Sequence, residues 1–78
     1  MTRNEFIEIV DFGNDVMFEY SEKKFAIVMT EDGIDIAEQN TCANRQVFED
    51  AAQLLARYKI DGIPLEKILQ KCKFTYVS

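Results

Sequence analysis

Large apolar side chains recur at every second position between Val16 and Glu38, and this pattern constrains the fold more than any other. A period of two places alternate side chains on the same face of a β-sheet. Two short polar links, Ser21–Lys24 and Glu31–Gly33, divide the segment into three runs, which predicts a three-stranded antiparallel meander. Asp32-Gly33 is a strong hairpin signal because both residue types tolerate a positive φ. The shared apolar face would hold Val16, Phe18, Tyr20, Phe25, Ile27, Met29, Ile34 and Ile36.

A helix is predicted before the meander, over residues 3–11. Thr2 and Glu5 have the spacing of a capping box, in which the two side chains bond free amides at a helix start. The apolar residues that follow have helical spacing, and Gly13 is typical of a helix C-terminus. Asp11 would lie near the negative end of the helix dipole, which is an unfavourable position for a carboxylate.

Two helices are predicted after the meander. Asp50 is a suitable N-cap for a helix that covers residues 51–58, and a start at Asn44 is an alternative because the apolar face extends that far. A second helix of about two turns begins at Leu65, where apolar residues again have helical spacing. Asp61-Gly62 lies between the two helices and is interpreted as the turn that joins them.

The predicted fold class is α+β, in one domain of residues 1–78: an N-terminal helix, the meander, and two C-terminal helices packed on one face. Residues 46–48 are either a strand or the start of a longer helix. Residues 74–77 are either a short C-terminal strand or a frayed tail. A chain of this length buries roughly 60–65% of its extended surface, which is enough for one core. The expected core is Phe6, Val10, Phe18, Tyr20, Phe25, Ile27, Ile34, Ile36, Phe48, Leu54, Leu55, Ile60, Leu65 and Ile68.

One short pattern is more specific than the rest, Ile-Asp-Gly-x-x-Leu-x-x-Ile at residues 60–68. It follows Phe18-Glu19-Tyr20, Phe25-Ala26-Ile27, Val47-Phe48 and Leu54-Leu55. Together these segments resemble small uncharacterised proteins of prophages and other mobile elements of Gram-positive bacteria, over most of the chain. Those proteins carry Asn-Gly or a similar tight turn where this chain has Ser21–Lys24. The resemblance implies a setting and a fold, and it brings no functional residues.

The net charge of −5 is unevenly distributed along the chain. Residues 1–38 contain ten acidic and three basic residues, whereas residues 39–78 contain four acidic and six basic residues. The acidic half disfavours nucleic acid and anionic membranes and favours a basic protein partner, with solubility alone as the alternative explanation. No apolar run is long enough to span a membrane and no signal segment is evident, so we expect a cytoplasmic protein.

Catalysis and metal binding have few candidate residues. The chain has no histidine, so the commonest general base and metal ligand is missing. Cys42 and Cys72 lack paired spacing, and we expect two reduced thiols, with a bridge between them as the alternative. The carboxylates of Glu31, Asp32 and Asp35 match no metal-binding pattern and suit a solvated turn. We therefore expect no enzyme activity, no cofactor and no metal.

Protein interaction is the function that the sequence favours. If helices cover the apolar face of the meander, no remaining element is long enough to cover the other face. A contiguous apolar patch on a sheet is typical of an interface, for self-association or for a protein partner. The candidate interaction residues are Met17, Ala26, Val28 and Ala37, with Glu19 and Asp35 as a polar rim. The alternative is nucleic-acid association, which the sparse positive charge disfavours, through Arg57, Lys59, Lys67, Lys71 and Lys73.

Overall fold

A five-stranded antiparallel sheet forms the centre of the structure, a computed structural model that describes residues 1–78, and the helices pack on one of its faces. The helices are α1 (Arg3–Asp11), α2 (Ala51–Arg57) and α3 (Leu65–Ile68), and a 3₁₀ turn, Leu69–Lys71, follows α3. The strands are β1 (Val16–Tyr20), β2 (Lys23–Thr30), β3 (Gly33–Glu38), β4 (Gln46–Phe48), β5 (Lys59–Ile60), β6 (Ile63–Pro64) and β7 (Lys73–Val77). No helix has both the length and the apolar character that crossing a membrane requires.

The predicted meander is the middle of a wider sheet. Its strands β1, β2 and β3 pair as expected, but the full strand order is β4-β3-β2-β1-β7. The prediction of three strands is therefore wrong in detail. The two segments for which the sequence allows a strand or another conformation, residues 46–48 and 74–77, both pair as edge strands. Residues 46–48 pair with β3, and the C-terminal segment pairs with β1. Each stretch has too few residues to indicate a strand by itself, so the neighbouring strand decides its conformation.

The apolar face of the meander is the core face. Strand pairing places Val16 opposite Ile27, Ile27 opposite Ile36, and Phe18 opposite Phe25. All three helices contribute to the same cluster of buried apolar residues. Every residue of the expected core is buried except Tyr20, which is half-buried, and the cluster also includes Val16, Ala51, Tyr58 and Leu69. Met29 is 45% exposed instead of covered, because it lies beside a turn near the end of β2.

The first helix has the predicted capping box. The Thr2 hydroxyl accepts a hydrogen bond from the Glu5 amide, and the Glu5 carboxylate accepts one from the Thr2 amide. These contacts lower the pKa of Glu5. Asp11, in the unfavourable position near the helix C-terminus, accepts a hydrogen bond from the Ala51 amide at 2.8 Å. Since Ala51 is the first residue of α2, the carboxylate satisfies a free amide at the start of a neighbouring helix.

The link between β1 and β2 is a two-residue turn made without glycine. Tyr20 pairs with Lys23, and the two turn residues, Ser21 and Glu22, have φ angles of 52° and 65°. Positive φ at both central positions is the signature of a type I′ turn, which asparagine followed by glycine forms most readily. A residue with a Cβ loses about 1–2 kcal/mol in this conformation, so the turn carries local strain.

Replacing Ser21-Glu22 by Asn-Gly is expected to stabilise the domain by about 1 kcal/mol, because both new residues accept a positive φ. Urea unfolding should show a higher midpoint with an unchanged slope. Glu31→Gly is the matched control, since Glu31 occupies the next turn with a negative φ. A glycine there only adds freedom to the unfolded chain, so the midpoint should fall. A fall in both variants would contradict the type I′ assignment.

The second turn differs from the prediction at Asp32-Gly33. Thr30 pairs with Gly33, so the turn residues are Glu31 and Asp32, and both keep a negative φ. Gly33 is the first residue of β3 with φ 132°, and a Cβ at this position would overlap the carbonyl oxygen of Phe48 in β4. Gly33 is therefore required both at the end of the turn and where β4 approaches β3 closely.

The segment after α2 also differs from the prediction. The helix ends at Arg57, and Tyr58 is extended with its ring buried against Phe25 and Phe48, at centroid distances of 6.2 and 6.4 Å. Its hydroxyl has no hydrogen-bond partner, and burial raises the pKa of Tyr58 to about 12. The ring thus contributes packing, while the hydroxyl stays protonated at neutral pH and loses its contacts with water.

Asp61-Gly62 forms a hairpin turn and does not join two helices directly. Lys59 pairs with Pro64, and both turn residues have positive φ, 54° and 81°, as in a type I′ turn. Asp61 also accepts a hydrogen bond from the Lys23 ammonium at 2.9 Å, which raises the pKa of Lys23. This exposed ion pair connects the small hairpin of β5 and β6 with the start of β2.

Candidate functional site

The face of the sheet opposite the helices is the candidate site, and we call it the open face. Its central row crosses four strands: Tyr76 on β7 lies opposite Met17 on β1, which lies opposite Ala26 on β2, and Ala26 lies opposite Ala37 on β3. We call these four residues the apolar row. Its side chains decrease in size from the β7 edge toward β3, and Tyr76 is 49% exposed.

A charged row lies beside the apolar row, toward the turn between β1 and β2. Glu19 on β1 has Lys24 on β2 opposite it on one side and Lys73 on β7 on the other. None of the three takes part in either ion pair of the structure. The predicted rim residue Glu19 therefore lies between two lysines, and the charge of this row is not acidic.

A third row lies on the other side of the apolar row. Val28 is opposite Asp35, and Asp35 is opposite Val47. The two valines are 38% and 39% exposed. Asp35 is 9% exposed and forms an ion pair with Arg45, with an Nη2–Oδ2 distance of 2.6 Å. Asp35, predicted as a residue of the polar rim, is therefore paired within its own chain, and the Arg45 guanidinium offsets the charge of its carboxylate.

The structure brings all six predicted interaction residues onto the open face. Their alternation along β1, β2 and β3 was sufficient to place them there. Five neighbours on this face were not predicted as interaction residues: Tyr76, whose segment the sequence assigns to either a strand or a frayed tail, Val47, Arg45, Lys24 and Lys73. For Tyr76, the only local signal is the alternation of polar and apolar residues in the C-terminal segment. No local sequence pattern indicates that the loop after β3 brings Arg45 next to Asp35.

Both edges of the sheet are poor templates for a further strand. The β4 edge is three residues long. The β7 edge begins with Lys73 and contains a bulge, since Phe18 and Met17 pair with Phe74 and Tyr76 and leave Thr75 between them. Short strands, edge lysines and bulges all disfavour pairing between sheet edges. Addition of a strand from another chain is therefore disfavoured at both edges.

A shallow polar groove of ≈ 340 Å³ lies between the β1–β2 turn and the loop after β3. It has no apolar side chain in its wall. Its Lys23 is already bonded to Asp61. The lining residues are Glu22, Lys23, Lys24, Glu38, Gln39, Asn40 and Thr41. Without a buried polar group or an apolar floor, the groove lacks the means to desolvate a small ligand.

The cysteines are both free thiols. Cys42 is exposed in the loop after β3. Cys72 is half-buried, donates a hydrogen bond to the Ile68 carbonyl oxygen at 3.4 Å, and has its pKa raised to about 11 by burial. A thiol with a raised pKa is protonated at neutral pH, so Cys72 is a poor nucleophile. The structure contains no cluster of three acidic or cysteine side chains that could hold a metal ion.

Comparison of the chain with models of protein families, with curated proteins and with solved structures finds no match. The open face is therefore interpreted from its own residues.

Proposed function

We propose that this protein is a non-enzymatic protein-interaction module that holds a protein partner on its open face. The observation that carries the proposal is the one-sided layering of the fold. The helices cover the core face only, and the apolar row and the two exposed valines lie on the other side. An apolar stretch that crosses a sheet and is bordered by charged residues has the anatomy of an interface.

The proposed setting is an accessory or regulatory role on a mobile genetic element. It rests on the resemblance at residues 60–68 and the segments before them. The charges on the open face also change the kind of partner that we expect, which the sequence alone predicts to be basic. The face carries two acidic residues, Glu19 and Asp35, and three basic residues, Lys24, Arg45 and Lys73. A partner surface with mixed charge fits this face better than a strongly basic one.

Val28→Lys is the variant that tests the proposed function. The side chain lies on the open face, so the helical layer and the core are unaffected, and the circular dichroism spectrum should match the parent's. The new charge must lose its water to enter an interface, so affinity capture from the native cell should lose the bound protein. Ala56→Lys is the matched control, because Ala56 is exposed on α2, on the helical side of the molecule. It should retain the bound protein.

A second variant keeps the test decisive if Val28→Lys does not fold. Tyr76→Lys removes the largest exposed side chain of the apolar row from the edge strand, where it contributes little to the core. Loss of the captured protein in this variant supports the proposal. Unchanged capture by both folded variants contradicts it, and so does a salt-sensitive gel shift with mixed DNA or RNA in place of a captured protein.

A further inference from the structure

We infer that the partner on the open face is a second copy of this chain, related by a twofold axis parallel to the strands and passing between β1 and β2. This inference rests on the proposed function and specifies its partner. In such a pair, β1 of one copy lies over β2 of the other, and β7 lies over β3. Every contact then occurs twice, as the symmetry of an isologous dimer requires.

The sizes of the side chains in the apolar row fit this arrangement. The row runs from large to small: Tyr76, Met17, Ala26, Ala37. The twofold axis reverses the row in the second copy, so Tyr76 lies over the partner copy's Ala37 and Met17 over its Ala26. Large side chains then face small ones at every position, and the sheets can approach to the usual spacing of about 10 Å.

The charges fit the same arrangement independently of the apolar row. Glu19 and Lys24 are opposite each other on β1 and β2, two residues along from Met17 and Ala26. The same axis therefore places Glu19 of each copy over Lys24 of the other, which forms two pairs of opposite charge. Neither side chain is committed to an ion pair within its own chain. Opposite charges at matching positions determine the register of an interface.

The charge of the whole chain also favours this surface for self-association. Two copies with a net charge of −5 repel each other when they approach through most of their surface. The open face carries three basic and two acidic side chains in its rows and at their border, so contact through this face does not add to the repulsion. The strand edges are blunted by the Thr75 bulge, Lys73 and the short β4, which leaves face-to-face contact as the available geometry.

The area of the interface determines its expected strength. Four overlapping strands of about five residues cover about 300 Å² of each sheet, from the usual strand spacing and rise per residue. A stable interface buries about 800 Å² on each partner. The dimer is therefore weak and forms with increasing concentration.

Sedimentation equilibrium tests the arrangement through a charge exchange. The mass of the parent should rise from 9.0 kDa toward twice that value as the concentration approaches the millimolar range. Glu19→Lys alone places lysines over lysines across the axis, and Lys24→Glu alone places carboxylates over carboxylates. Each variant alone should lose the rise in mass. An equimolar mixture of the two variants should recover it, because each copy then faces the opposite charge.

The mixture separates contacts between copies from effects within one chain. Each variant also places like charges on neighbouring strands of its own sheet, and mixing does not change that contact. Recovery in the mixture therefore supports the twofold arrangement. A parent that stays monomeric at millimolar concentration, or a mixture that behaves like either variant alone, overturns it.

Different outcomes contradict the proposed function and this inference. If the parent is monomeric but Val28→Lys loses a different captured protein, the second copy is ruled out and the interaction face stands. If the parent forms a dimer that Val28→Lys and the charge variants leave unchanged, the dimer uses another surface, and this inference is wrong. If Val28→Lys also captured as much protein from the native cell as the parent does, the function proposed for the open face would be overturned.

Discussion

Phe25→Ala is expected to lower the free energy of unfolding by about 3–5 kcal/mol, which is a large part of the stability of a small domain. Phe25 is 1% exposed on β2, and its ring stacks on Phe18 at a centroid distance of 5.0 Å. It also supports the ring of Tyr58. Alanine would leave a cavity beside the Phe18 and Tyr58 rings, which have little freedom to fill it. The midpoint of urea unfolding measures the loss.

Phe12→Ala is the matched control for this prediction. The same atoms are removed, but Phe12 is 85% exposed at the C-terminus of α1. The change in the free energy of unfolding should stay within about 0.5 kcal/mol. If the two variants unfolded at similar urea concentrations, Phe25 would not be a core residue, and the two faces of the sheet would be reversed.

Gly33→Ala is expected to cost about 2–4 kcal/mol, because two separate penalties add. The backbone at Gly33 has φ 132°, which a residue with a Cβ rarely adopts, and the new methyl group would overlap the carbonyl oxygen of Phe48. The clash would displace β4 from the edge of the sheet. Urea unfolding should show the loss, and amide exchange should be faster in β4 than in the parent.

Gly13→Ala separates the two penalties. Gly13 has φ 100° after the end of α1, and an added Cβ there would meet no atom within 4 Å. Only the backbone penalty applies, so the loss should be about 1–2 kcal/mol and the exchange of β4 unchanged. Equal losses at the two glycines would show that β4 does not approach β3 as closely as the structure indicates.

The local patterns of the sequence were sufficient for the central part of the fold. Alternation over Val16–Glu38 predicts which side chains of β1, β2 and β3 share a face, because the strand period is a property of the backbone and not of its surroundings. The capping box at Thr2 and Glu5 and the N-cap at Asp50 depend on hydrogen bonds within four residues. The same local logic placed the six predicted interaction residues on one face.

The tertiary structure decided the features that depend on residues far apart in the chain. Strand β7 exists because β1 offers it an unpaired edge, and the extended Tyr58 is held by Phe25 and Phe48. The ion pair with Arg45, on the loop before β4, offsets the charge of Asp35, one of the two predicted rim residues. These contacts gain their energy from burial and charge pairing, which act only after the chain has folded. Local periodicity determined the faces of the sheet, and packing determined its width, its edges and the charge of its open face.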